Sequence, residues 1–412
     1  MKTVFLSDNQ SALQSTLDRV YRNVFLPLFS QDIRFNKHSN QETLICFDSI
    51  SNSTICVSTS LFAQTNQAKL SEGSAFNQSY YLYYLDHEIE HRSDLSEGFV
   101  SVCSSNVKPD QLCDLWLSNG ETRSLYSRNK QQSFDTSEHF AWIILLLAHD
   151  FPIEDSLVVA RSAMNVSRET WPDDIQFFPV FSKQSGVVRE AFLPIERDLF
   201  RLYPVVDTFE WVKTLVQAHG VKTAQLRIKD RNSVLLDQQV QDMSILSQET
   251  GTQLFVNDYW RLAIKHQAYG VHLGQEDLDE ANIEQIHAAN LRLGVSTHGY
   301  YEILKAETIR PSYIALGHIF PTTTKSMPSK PQGLVRLGLY QNLINTIMVG
   351  DCSIPTVAIG GIDLSNISNV VSQGVDSIAV VRAITQAKDL SQRIGSLFNA
   401  IDGIKAGEGV IA

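Results

Sequence analysis

The sequence predicts an α/β protein whose C-terminal part is a (β/α)8 TIM barrel, preceded by a smaller α+β or α/β N-terminal domain. Three observations lead there. From Leu199 onward, short apolar runs alternate with amphipathic stretches, the pattern of βα units around a parallel sheet. The alternation repeats eight times in about two hundred residues, the size of a compact barrel. The runs end in polar and charged residues, at the strand ends where a barrel builds its active site. A chain of 412 residues is long for one domain, and the expected division is 1–170, a connection over 171–198, and 199–412.

Hydrophobic residues make up 43% of the chain, enough for sizeable cores. A net charge of −11 argues against a nucleic-acid or anionic-membrane partner, so any basic groups serving an anion have to be concentrated locally. The start MKTVFLSDNQ lacks the features of a signal peptide, and the longest apolar run, Ala141 to Ala148, is too short to span a bilayer. Five widely spaced cysteines without C-x-x-C fit reduced thiols in a cytoplasm. Homo-oligomerisation is left open.

In the first part, Thr43–Phe47, Thr54–Phe62, Tyr80–Leu85 and Gly98–Cys103 read as strands, and Asn119-Gly120 as a hairpin turn. Ser137–His149 and Ile153–Thr170 carry apolar residues at helical spacing. His87-Glu88-Ile89-Glu90-His91 satisfies H-E-x-x-H, but its neighbours are charged rather than one-sidedly apolar, which favours a solvated turn over zinc. The segment SFDTSEHFAWIILLLAHDFPIEDSLVVARSAMNVS resembles the end of ribokinase-like enzymes such as hydroxymethylpyrimidine phosphate kinase. It departs from them in having no glycine over Ser133–Glu138 to form an anion-binding turn, which makes this half a degenerate, non-catalytic remnant if the kinship holds. Trp171–Asp198, with three prolines and little periodicity, reads as the connection.

The barrel strands are read at Leu202–Val206, Thr223–Lys229, Gln253–Asn257, Gly270–Leu273, Leu293–Thr297, Tyr313–His318, Pro355–Ile359 and Ser377–Val381. Helices are read at Phe209–Ala218, Ile283–Asn290, Leu334–Ile347 and Leu364–Gln373. In the second strand Gln225, Arg227 and Lys229 alternate with Ala224, Leu226 and Ile228, so the polar side chains share one face; a solvated edge strand would show the same pattern. The third ends in Asn257-Asp258 and the fourth in Gly274-Gln275-Glu276-Asp277; Asp258 and Asp277 suit magnesium, the reading favoured over Asp277 as a helix cap. The fifth ends Ser296-Thr297-His298. After the sixth come Thr322, Thr323, Thr324 and Lys325, hydroxyls and an ammonium able to hold phosphate, or else a polar loop stiffened by prolines. Gly360-Gly361 and Val381-Arg382 close the seventh and eighth, where this barrel class binds phosphate.

These residues resemble thiamine phosphate synthase: QLRIK, VND, GVHLGQED, LGVSTH, LGHIFPTTTK, AIGGI and SIAVVRAI follow the family's order and spacing from roughly Leu199 to Ala400. The resemblance implies a transferase of thiamine biosynthesis joining hydroxymethylpyrimidine diphosphate to 4-methyl-5-(2-phosphooxyethyl)thiazole. It implies that Gln225, Leu226, Arg227, Ile228, Lys229 and Asn257 hold the pyrimidine diphosphate, that Asp258 and Asp277 carry Mg2+, and that Ser296 and Lys325 complete the diphosphate cage. Thr322, Thr323, Thr324, Gly361, Val381 and Arg382 would take the thiazole's phosphate, and many members have serine at the position of Arg382. Two rivals stand beside this reading: a thiazole tautomerase-like enzyme on the same barrel, and a non-catalytic binding protein of the thiamine pathway.

Overall fold

The structure is a computed structural model that describes residues 2–7, 11–30, 32–38, 45–48, 54–61, 78–89, 95–105, 107–130, 134–166, 170–181, 190–322 and 330–408. The chain forms two compact units, Met1–Val188 and Arg189–Ala412.

In the second unit eight parallel strands close into a barrel. They run Leu202–Val206, Thr223–Leu226, Gln253–Asn257, Gly270–Leu273, Arg292–Thr297, Tyr313–Gly317, Thr356–Ile359 and Ser377–Val380, and the last pairs with the first. Nearly every strand residue is buried, as expected of strands covered by helices outside and packed side chains within. The second strand stops at Leu226, short of the Lys229 read from sequence, because the Tyr259 hydroxyl takes the Ile228 carbonyl at 2.9 Å and turns the chain away. The helix expected over Leu334–Ile347 is Gly333–Ile344; its last carbonyls are drawn off by the Thr346 side chain, which donates to the Leu343 carbonyl at 2.7 Å. That expected from Leu364 begins at Ile367, since Asp363 and Asn366 first close a side-chain-bonded turn.

The lower half of the barrel is filled by aromatic rings. Phe200, Tyr203, Phe255 and Tyr313 pack with Val205, Ala315, Val357 and Ala379. Room for Tyr313 comes from Gly294 on the neighbouring strand, where a Cβ would stand 2.1 Å from the ring's Cζ.

The first unit is built on a mixed sheet of eight strands among the described residues. Their order is Ile33–His38, Lys2–Ser7, Ile45–Asp48, Thr54–Thr59, Gln78–Leu85, Phe99–Cys103, Leu112–Ser118 and Glu121–Tyr126. The opening strand, the helix from Ser11 and the parallel strand from Ile33 form a βαβ unit that sequence periodicity passed over. Asn119 and Gly120 form the expected hairpin turn between the last two strands. Helix Thr136–Ala148 is buried on every side, the environment its unbroken apolar run requires. At its start the Asp135 carboxylate accepts from the Ser137 and Glu138 amides. Helix Ile153–Ala163 ends earlier than the Thr170 expected, because Met164 and Asn165 bond back three residues and the Asn165 side chain donates to the Phe177 carbonyl. From this helix Arg161, wholly buried, forks onto Asp114 at 2.6 and 3.1 Å and donates to the carbonyls of Cys103 and Cys113. Of the H-E-x-x-H stretch, His87 is exposed and paired with Asp86 at 2.9 Å, while Glu90 and His91 lie outside the described residues.

Replacing Gly294 by alanine forces a methyl group into the Tyr313 ring. The variant should lose about 1–3 kcal/mol of stability to urea, and an unchanged midpoint would mean that Tyr313 does not fill this place.

Candidate active site

The polar chemistry gathers at the strands' carboxyl ends. Gln225 is buried in the second strand, and the amide of Arg227 still bonds the first strand at the Val206 carbonyl, 2.7 Å away. This places the half-buried Arg227 at the rim, with Leu226 and Ile228 buried on either side of it and Lys229 exposed beyond.

The third strand ends in buried Asn257, and Asp258 follows with a φ of 66°, in the left-handed region that aspartate tolerates better than most residues. The Asp258 amide donates to the His272 carbonyl at 2.9 Å, which ties this turn to the fourth strand. Past that strand, Gly274 occupies the N-cap of helix Gln275–Glu280, so Asp277 lies inside the first turn and does not cap it. The Asp258 carboxyl lies within the field of the Asp277 charge. Burial first, and then the Asp277 charge, push the Asp258 pKa up to about 6, while Arg227 and Arg231 act in the opposite sense. Arg231 stands 3.3 Å from Asp277.

Ser296, in the fifth strand, hydrogen bonds the buried ring of His272 at 2.8 Å, and its carbonyl accepts from Gln275 at 2.6 Å. Beyond the sixth strand Thr322 is half-buried, whereas Thr323, Thr324 and Lys325 lie outside the described residues. Gly360 and Gly361 have φ of 107° and 66°, and a Cβ on Gly360 would meet that of His318 at 2.4 Å. This pair therefore lets the sixth- and seventh-strand loops pass closely, secured by Phe320 N–H on the Gly360 carbonyl at 3.0 Å. The Val381 carbonyl accepts from Ile384 and Thr385 and opens a short helix at Arg382.

The structure thus sets Arg227 and Asp277 within electrostatic reach of Asp258 and links Ser296 to Asp258 through His272. Three residues of this cluster carried no assignment in the sequence reading: Arg231, His272 and Gln275. Arg231 was legible as a third cation in the run from Arg227, and His272 as the one polar side chain inside GVHL.

Burial and the neighbouring Asp277 charge raise the Asp258 pKa, a penalty that a cation shared by two carboxylates relieves. Among the described residues no group of three or more His, Cys, Asp or Glu could hold a metal. A cation here would take its other ligands from water and substrate oxygens, as magnesium does. The donor set fits.

A family model described as thiamine monophosphate synthase matches residues 202–384. The thiamine-phosphate synthase of Photorhabdus laumondii is 51% identical over 214 residues, 52% of this chain and 95% of that one. That of Pectobacterium atrosepticum is 54% identical over 207 residues, 50% of this chain and 93% of its own length. A solved thiamine phosphate pyrophosphorylase from Pyrococcus furiosus is 29% identical, with a TM-score of 0.43, covering 50% of this chain and 98% of that one. Fold and site together define a (β/α)8-barrel enzyme with its chemistry at the strand carboxyl ends. More particularly, the chain belongs to the thiamine-phosphate synthase family. Among the described residues no helix is long and apolar enough to cross a membrane.

Because the Asp258 pKa is raised above its ordinary 3.8, the stability contributed by its protonated form is complete below about pH 4 and lost as pH rises through about 6. Without added metal, the advantage of Asp258→Asn over wild type should grow by about 1 kcal/mol between those limits, after discounting for solvent screening. Urea denaturation at several pH values measures this, and a pH-independent gap contradicts the carboxyl pairing.

Proposed function

We propose that this chain condenses hydroxymethylpyrimidine diphosphate with 4-methyl-5-(2-phosphooxyethyl)thiazole, forming thiamine phosphate and diphosphate. The observation that carries the proposal is the Asp258–Asp277 pair beside Arg227, set on a barrel that matches curated synthases over nearly their full length. In the reaction the bond from the pyrimidine's methylene carbon to oxygen breaks and both electrons leave with diphosphate. The resulting cation is stabilised by the aminopyrimidine ring, and the thiazole nitrogen supplies the pair for the new C–N bond. Such chemistry needs no side-chain nucleophile. It needs a preorganised cage for the departing anion.

Arg227, Lys229 and Lys325 supply positive charge to that cage, Ser296 a hydroxyl, and Gln225 and Asn257 amide contacts to the pyrimidine substrate. Leu226 and Ile228 shape the same run. Asp258 and Asp277 would hold magnesium, which neutralises charge on the diphosphate. Thr322, Thr323, Thr324, Gly361, Val381 and Arg382 receive the thiazole's phosphate. A thiazole tautomerase would have no use for a paired-carboxylate cation site, and a binding protein would release nothing.

The deciding assay incubates the protein with both substrates and magnesium. Diphosphate release that depends on the thiazole phosphate is expected, and none would leave a binding role. Asp277→Asn should raise the magnesium concentration for half-maximal rate and lower turnover; an unchanged requirement moves the cation elsewhere. Lys325→Ala should cost about 2–3 kcal/mol of transition-state stabilisation, read from kcat/KM, and a wild-type rate would take Lys325 out of the cage.

A further inference from the structure

A chain of hydrogen bonds runs through the barrel's closed interior up to Ser296. The Tyr203 and Tyr313 hydroxyls are 2.7 Å apart, the Tyr313 hydroxyl is 2.8 Å from His272 Nδ1, and His272 Nε2 is 2.8 Å from Ser296 Oγ. Both tyrosines are essentially without solvent contact, and His272 is 8% exposed. The His272 ring stacks on Tyr313 with 20° between the planes. Among the described residues neither tyrosine hydroxyl has a second acceptor within hydrogen-bond reach.

Hydrogen counting decides the direction of this chain. Three bonds need one hydrogen each, and two tyrosines, one neutral imidazole and one serine hold four. If His272 carries its proton on Nδ1, that N–H donates to Tyr313, and one tyrosine O–H is left buried without an acceptor. Stranding such a group costs about 1–3 kcal/mol. A protonated ring strands the same hydrogen and buries a charge besides. With the proton on Nε2, Tyr203 donates to Tyr313, Tyr313 donates to Nδ1, and Nε2–H donates to Ser296. The spare hydrogen is then that of Ser296, at the barrel mouth.

We propose that Tyr203, Tyr313 and His272 are positioning residues which lock His272 in the Nε2–H tautomer, so that Ser296 keeps its own hydrogen to donate to the anionic substrate. With the opposite tautomer the serine would donate inward and present only lone pairs to a phosphate oxygen, which repels them. The inference rests on the place given to Ser296 in the diphosphate cage, and deepens it by naming what makes that hydroxyl a donor.

The full-length protein labelled with 15N-histidine tests this directly. Long-range 1H–15N spectra distinguish the two tautomers, and the His272 signals among the 11 histidines are found by their loss in His272→Gln. An unprotonated Nδ1 with a protonated Nε2 is expected, and the reverse overturns the proposal whether or not any variant folds. In kinetics, Tyr313→Phe should lower kcat by about tenfold, Ser296→Ala by at least as much, and the double variant no further. His272→Gln, which keeps an N–H near the place of Nε2, should retain more activity than His272→Leu. Fully additive losses from Tyr313→Phe and Ser296→Ala would overturn the relay alone. Unchanged kinetics in Ser296→Ala would instead remove Ser296 from the diphosphate cage.

Discussion

Two carboxyl groups within each other's field at the barrel mouth set the terms for everything around them. Asp258 and Asp277 come from the ends of adjacent strands, and Asp258, partly buried and facing the Asp277 charge, does not shed its proton cheaply. Arg227 and Arg231 offset part of that repulsion from the same side of the mouth. An acidic pair so placed is unstable as an isolated anion and stable around a cation. In the proposed reaction a cation there would make the rim a seat for diphosphate, although the protein as a whole is acidic.

The barrel beneath holds these groups still. The Asp258 amide on the His272 carbonyl, the Tyr259 hydroxyl on the Ile228 carbonyl and Gln275 on the Ser296 carbonyl each lock one strand end to the next. Lower down, four aromatic rings fill the space that a smaller core would leave to water, and Gly294 makes room for the one that reaches His272. A reaction that runs through a cation has most to gain from groups that need not move, because preorganised dipoles cost no rearrangement when charge develops. The first unit has a different economy: its sheet and two buried helices are organised about Arg161 and Asp114, a pair whose separation would leave a bare charge in the core.

How much of this could be read from sequence depended on the physical signal. Strands such as Leu202–Val206 and Gln253–Asn257 were legible to the residue, since buried parallel strands are short apolar runs with sharp polar ends. The acidic and basic residues past those ends were legible for the same reason. The Lys229 end of the second strand was not, because the bond that ends it comes from Tyr259, thirty-odd residues away. Nor was the tyrosine–histidine chain: Tyr203, His272 and Tyr313 look like ordinary barrel filling until closure brings three separate strands together. In the first unit the strand Lys2–Ser7 is short and its partner lies beyond a helix, so periodicity alone did not reveal it.

The most direct test is a crystal structure of the protein grown with manganese and diphosphate, with data collected at the manganese absorption edge. The account predicts an anomalous peak between Asp258 and Asp277, bridged to a diphosphate that also touches Arg227 and Ser296. Manganese bound elsewhere, with neither aspartate touching it beneath a bound diphosphate, would contradict it.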